Sequence, residues 1–177
     1  SPAQCREFSG TMKKSTFQPS RTEALLEGQI YLPPCYRGME SSSFPVIYLL
    51  HGAESTAEQW DALGIDETAD RLIAREDIPP IILVLPDEPS GRHPSETPFG
   101  EQVVKDLIPW IDNHYRTLDS RDYRAIGGIS RGGNWAIRMG LLHWSSFSRI
   151  GAHSTPLFRG DLQRIPEWMG GIPETMM

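Results

Sequence analysis

Two runs of the chain are apolar without interruption, Val46-Ile47-Tyr48-Leu49-Leu50 and Ile81-Ile82-Leu83-Val84-Leu85. Neither alternates apolar with polar, which is how strands buried on both faces of a sheet read. Between them Ile65, Ala69, Leu72 and Ile73 recur at helical spacing, predicting a helix that ends near Glu76, ahead of Ile78-Pro79-Pro80. The unit is therefore β-α-β. Further on, Val104, Leu107, Ile108, Ile111 and Tyr115 fall on one face of a second helix, which Pro109 should kink. Residues 123–129 read as a strand, residues from about 132 to 142 as a helix, and Arg149-Ile150-Gly151-Ala152 as a further short strand. Strands alternating with helices imply an α/β fold with a mostly parallel sheet, helices on both faces and right-handed crossovers.

The amino-terminal region departs from that rhythm. Residues 9–17 and 22–32 are expected to pair as an antiparallel hairpin about the turn-like Gln18-Pro19-Ser20-Arg21, with Leu32-Pro33-Pro34 ending the second strand because consecutive prolines cannot donate to a ladder. Cys5 and Cys35 are the only cysteines and lie symmetrically about Ser20. That places both near the open end of the hairpin, where a disulfide could close and stabilise the fold by about 3–4 kcal/mol in the chain-entropy account. A disulfide implies an oxidising compartment; two reduced thiols in a cytosolic protein are the alternative. Residues 88–98, rich in Pro, Gly and Ser and containing His93, read as a surface loop bordering a site.

At 177 residues the chain suits one domain, with no internal repeat or low-complexity tract. A net charge of -6 without runs of like charge argues against nucleic acid and anionic membranes as partners, and favours a small molecule. No stretch approaches the roughly 18 apolar residues of a membrane span, and the chain opens at Ser1 without a leader, as expected of a mature or trimmed form.

The candidate chemistry lies in Gly128-Ile129-Ser130-Arg131-Gly132, where the strand at 123–129 turns abruptly into a helix. A serine on so sharp a turn has a strained backbone, and side chains two positions either side would collide with neighbouring strand and helix, so glycine is required there. The bland alternative is a glycine-rich structural turn. As a nucleophile Ser130 needs a general base, and the developing oxyanion needs donors. The Arg131 amide, at a helix start, is one candidate. The loop His51-Gly52-Ala53-Glu54 after the first parallel strand offers the second, at Ala53 or the neighbouring Glu54.

Several spaced blocks then converge. Leu32-Pro33-Pro34, Tyr48-Leu49-Leu50-His51-Gly52 followed by Trp60, Leu107-Ile108-Pro109-Trp110-Ile111-Asp112 and Ile126-Gly127-Gly128-Ile129-Ser130-Arg131-Gly132-Gly133 together resemble the putative esterase family of α/β-hydrolases. This group includes esterase D, feruloyl esterases and mycolyltransferases of the antigen 85 type. The resemblance spans about residues 22 to 157. It implies hydrolysis of a small-molecule or carbohydrate-linked carboxylic ester through an acyl-serine intermediate, without metal or cofactor. It also favours a secreted, extracellular or periplasmic location. An acyltransferase would use the same elbow with an alcohol as acceptor.

The chain also departs from that family. In this fold the acid and the histidine follow the serine on loops after the last strands, yet after Ser130 only His143, His153, Asp161, Glu167 and Glu174 remain. The expectation is a single, incomplete domain over residues 1–177, the amino-terminal two-thirds of an esterase, with the triad acid and histidine outside it and an open sheet edge near Ile150. That edge suggests the competing reading, an inactive shortened hydrolase fold serving as a binding or assembly module, pairing with another copy. Locally, His153 is expected to pack or hydrogen bond at a pocket rim, His143 to sit at a helix end, His114 on a solvent-facing side, His93 in a loop, and His51 to be structural. Asp87 is either at the mouth or a turn cap, and Trp60, Trp135 and Trp144 are read as core packing before acyl contacts.

Overall fold

A computed structural model describes residues 7–18, 25–89 and 91–176. A six-stranded sheet has the order β1-β2-β4-β3-β5-β6, with β1 Thr11–Phe17, β2 Leu26–Leu32, β3 Val46–Leu50, β4 Ile82–Pro86, β5 Arg124–Ile129 and β6 Arg149–His153. An antiparallel hairpin forms as expected, in register from Thr11 opposite Leu32 to Phe17 opposite Leu26, and β2 also runs antiparallel to β4. The second strand of the hairpin begins at Leu26 rather than at 22, and the predicted turn falls largely outside the described residues. From β4 onward every pairing is parallel. β2 ends at Leu32, as the prolines after it require. Cys35 follows in the left-handed region at φ 68°, its amide donating to the Glu7 carboxylate at 2.9 Å. The predicted crosslink to Cys5 falls on a residue outside those described.

Helices cover the two faces unequally. On one face lie α3 Phe99–Gln102, a π-helical stretch Val103–Leu107, α4 Ile108–His114 and α5 Arg131–Leu142. Their Phe99, Val103, Leu107, Ile111, Trp135 and Met139 pack with Val46, Tyr48, Leu50 and Ile126 of the sheet in the larger core. On the other face α1 Glu58–Ala62 and α2 Ile65–Ala74 enclose a smaller core of Ala57, Ala69, Leu83 and Leu85. α2 ends close to the predicted position. α1 was not predicted, because its five residues carry no apolar period of their own.

Two expectations change in detail. β4 is buried throughout, but β3 alternates buried and half-buried positions, so Ile47 and Leu49 face the less covered side. A continuous apolar run predicts cover on both faces, and here the second cover is partial. The helix around Pro109 is also re-phased rather than simply kinked. The π-helical stretch ends just before α4, which places Pro109 in a first turn, where no backbone N–H is needed. The extra residue per turn rotates Val103 into the core in place of Val104, which is half-buried.

Candidate active site

β3 and β5 are parallel neighbours, with Leu50 opposite Gly128. Their carboxyl ends therefore deliver the His51-Gly52-Ala53-Glu54 loop and Ser130 to the same edge of the sheet. Ser130 has φ 53° and ψ −117° and immediately precedes α5. For a residue with a side chain this is a strained conformation that the surroundings must enforce. They do so by close backbone contact. A Cβ on Gly132 would lie 2.1 Å from the Leu50 carbonyl oxygen, and one on Gly128 would lie 2.2 Å from the Gly132 carbonyl carbon and oxygen. The Ser130 amide donates to the His153 carbonyl at 2.8 Å, and the Asn134 amide returns to the Ser130 carbonyl at 3.1 Å. Ser130 itself is half-buried.

The second loop is equally well anchored. The Gly52 amide donates to Gln59 Oε1 at 2.7 Å. His51 is buried, and its Nε2 accepts the Glu88 amide at 2.8 Å. That bond fixes the tautomer: Nδ1 carries the proton and donates to the Gly52 carbonyl at 2.7 Å. His51 is thus structural, as expected. Ala53 and Glu54 are exposed, and Glu54 has φ 56°. The Arg131 side chain turns away from the elbow into the fold, where Nε donates to Glu88 Oε2 at 2.8 Å and the guanidinium also meets the Arg92 carbonyl.

Four of the five histidine rings engage groups away from Ser130. Besides His51, the His93 Nδ1 meets Ser95 Oγ at 2.7 Å, the exposed His114 stacks on Trp110, and His143 Nε2 lies 3.1 Å from Glu101 Oε1 at the carboxyl end of α5. The fifth, His153, is exposed on β6. Asp87 takes its cap reading, its carboxylate accepting the Ala57 amide at the start of α1. Trp135 is buried edge-on against Phe99, and Trp60 packs on the smaller core, so both take the packing role expected of them. Trp144 is half-buried.

Two polar networks around the elbow escaped the sequence. One is the buried Arg131–Glu88 pair; Glu88 lies in a stretch that reads as loop, and no spacing rule links it to position 131. The other centres on Asp161, which begins α6 Asp161–Met169. Its Oδ2 accepts Asn134 Nδ2 at 2.7 Å and the Phe158 amide at 2.8 Å, while Oδ1 accepts Arg138 at 3.0 Å. Asp161 therefore staples the segment after β6 to α5. Burial pulls the Arg138 guanidinium below its ordinary value, and Asp161 opposes that shift. Of the other late acids, Glu167 lies near Arg164 and Glu174 is exposed. No group of three or more His, Cys, Asp or Glu residues that could hold a metal occurs among the described residues.

Beside the His51 loop a cavity of about 350 Å³ is lined by Glu27, His51, Ser55, Thr56, Asp87 and Glu88. On the other side of the elbow, β5 and β6 border an open apolar hollow of about 500 Å³ that includes Leu49, Trp60, Gly128, Ile150 and Ala152.

Comparison with known proteins bears on the family and the fold. The sequence pattern described as "Putative esterase" matches residues 19–160. An esterase of Mycobacterium tuberculosis is 31% identical over 154 residues, which is 78% of this chain and 31% of that protein. An endo-1,4-beta-xylanase/feruloyl esterase of Xylanibacter ruminicola is 29% identical over 136 residues, 70% of this chain and 19% of that protein. Among solved structures, a ferulic acid esterase superimposes with a TM-score of 0.72 at 25% identity, over 84% of this chain and 61% of that one. The feruloyl esterase module from Clostridium thermocellum, solved with sinapinate, gives 0.75 at 19% identity, over 96% and 63%. The chain thus spans under a third of these curated relatives and about three-fifths of the solved esterases.

Proposed function

The chain belongs to the putative esterase family, and from that premise we propose that it is the nucleophile-bearing part of a serine carboxylic-ester hydrolase acting on a small-molecule or carbohydrate-linked ester. One observation carries this reading: Ser130 is held at φ 53° and ψ −117° at the head of α5 by contacts that admit only glycine at positions 128 and 132. Strained backbone conformations cluster at active sites, and a sharp strand-to-helix turn is the setting in which a nucleophilic serine presents its hydroxyl. Ser130 Oγ attacks the ester carbonyl, the Arg131 and Ala53 amides hold the oxyanion, and an alcohol leaves from the tetrahedral intermediate to give acyl-Ser130. Water then releases the acid. The histidine and carboxylate that move the protons are placed by this reading outside this chain: four of the five histidine rings are engaged away from Ser130, His153 is exposed on β6 and contributes its carbonyl to the Ser130 amide, and Asp161 is committed to Asn134 and Arg138. No step calls for a metal or cofactor.

A fluorophosphonate probe is expected to label the full-length protein at Ser130 and to leave Ser130→Ala unlabelled; labelling that survives the substitution would sink the assignment. We further infer a Cys5–Cys35 disulfide and hence a secreted or periplasmic protein. Alkylation before reduction should then modify neither cysteine, and two modified thiols would contradict it. The exposure of all five residues of β6 favours a second reading, a non-catalytic assembly module. Its mark would be a concentration-dependent oligomer in sedimentation with no ester turnover.

A further inference from the structure

Glu88 stands just beyond the carboxyl end of β4 and bonds both to the loop and to the helix start that carry the proposed oxyanion donors. Its side chain and its backbone work in different directions. The carboxylate accepts Arg131 Nε at 2.8 Å, which ties residue 88 to the first residue of α5, the one directly after the nucleophile. The amide donates to His51 Nε2 at 2.8 Å, which makes Nδ1 the protonated nitrogen and directs it onto the Gly52 carbonyl at 2.7 Å. The Gly52 carbonyl and the Ala53 N–H belong to one planar peptide unit, so a bond that holds the carbonyl also sets the direction of the N–H. Gln59 holds the preceding amide of Gly52 at 2.7 Å, leaving the unit little freedom to rotate. Glu88, His51 and Arg131 are all buried, so these bonds are little weakened by water.

We propose that Glu88 is a positioning residue whose carboxylate, through Arg131, holds the start of α5 in register with the Gly52–Ala53 peptide that the residue 88 amide and His51 fix. This rests on the reading of Ser130 as nucleophile. Donors placed in advance matter because they act where charge develops in the transition state, so a loss of register should lower kcat and leave substrate binding nearly unchanged.

The test uses the full-length protein, a chromogenic ester and three variants. Glu88→Ala is expected to lower kcat about 10- to 100-fold with KM changed less than about threefold. Glu88→Gln, whose amide oxygen still accepts from Arg131, should recover most of that loss. Because Glu88→Ala leaves Arg131 buried without its carboxylate and can unfold the protein, the apolar double variant Glu88→Leu/Arg131→Met supplies a folded comparison. It should melt cooperatively and still show the lowered kcat. A wild-type kcat in that folded double variant, or a loss confined to KM, overturns the role of Glu88 while Ser130 labelling leaves the nucleophile intact. A wild-type protein that neither labels at Ser130 nor turns over ester overturns both.

Discussion

β4 and β6 belong to the same sheet, yet β4 is buried at all five positions and β6 is exposed at all five. β4 lies between β2 and β3, with a helical layer and its core on each face. β6 lies at the end of the order, paired only with β5, and the α1–α2 layer stops short of it. The elbow sits on β5 at the border between these two regions. On the finished side Leu50 and His51 crowd Gly132 and Glu88 anchors the His51 loop, while the open side contributes the His153 carbonyl to the Ser130 amide and, from the segment after β6, Asp161 to Asn134 and Arg138 of α5. The strained turn at Ser130 therefore lies where full cover on one side meets partial cover on the other.

The sharpest way to break this comparison is a pair of glycines. Gly132→Ala drives a Cβ into backbone atoms of β3 and the loop after it, so urea unfolding should show a loss above about 4 kcal/mol. In Gly151→Ala the added carbon meets only the Gly127 Cα at 3.9 Å, and the change should stay within about 0.5 kcal/mol. Equal losses would mean that the border is drawn in the wrong place. Next comes Asp161→Ala, which strands the buried Arg138 and the Phe158 amide; a loss of about 3 kcal/mol is expected. A loss under about 1 kcal/mol would show that the segment after β6 is not stapled to α5.

Apolar truncation gives a smaller contrast. Leu85→Ala in β4 should cost at least about 2 kcal/mol, against less than about 1 for Ile150→Ala in β6, where the side chain is 40% exposed. The smallest effect concerns Glu101, whose carboxyl is held below its usual range by Lys105 first and by His143 at the end of α5. A depressed folded value adds stability above the ordinary carboxylate range and loses it as pH falls through the lowered one. Half-exposed, the group should contribute less than about 0.5 kcal/mol. Thermal melts of Glu101→Gln should therefore differ from wild type at neutral pH and converge with it in acid; a difference that grows in acid would reverse the sign.

What the sequence made legible was what has a period or a steric rule. The two apolar runs, the prolines after Leu32 and the glycines flanking Ser130 each state a local requirement, and each predicts an element found within a few residues of its place. The open edge at β6 was legible too, because no strand pattern follows Ile150. The re-phasing before Pro109 was not, since a π-helical stretch leaves no mark in hydrophobic spacing. Nor were the buried bonds of Glu88 and Asp161 beside the elbow. Their partners lie 43 and 23–27 residues away in sequence, and a single carboxylate in a loop looks the same whether it faces solvent or a buried arginine.

The central claim, that Ser130 carries the acyl group, is tested most directly by trapping the intermediate. The full-length protein mixed with a feruloyl ester, quenched in acid within the first turnover and mapped by peptide mass spectrometry, should bear the acyl group on Ser130. Turnover with the adduct on another residue, or undiminished turnover in Ser130→Ala, would contradict the account.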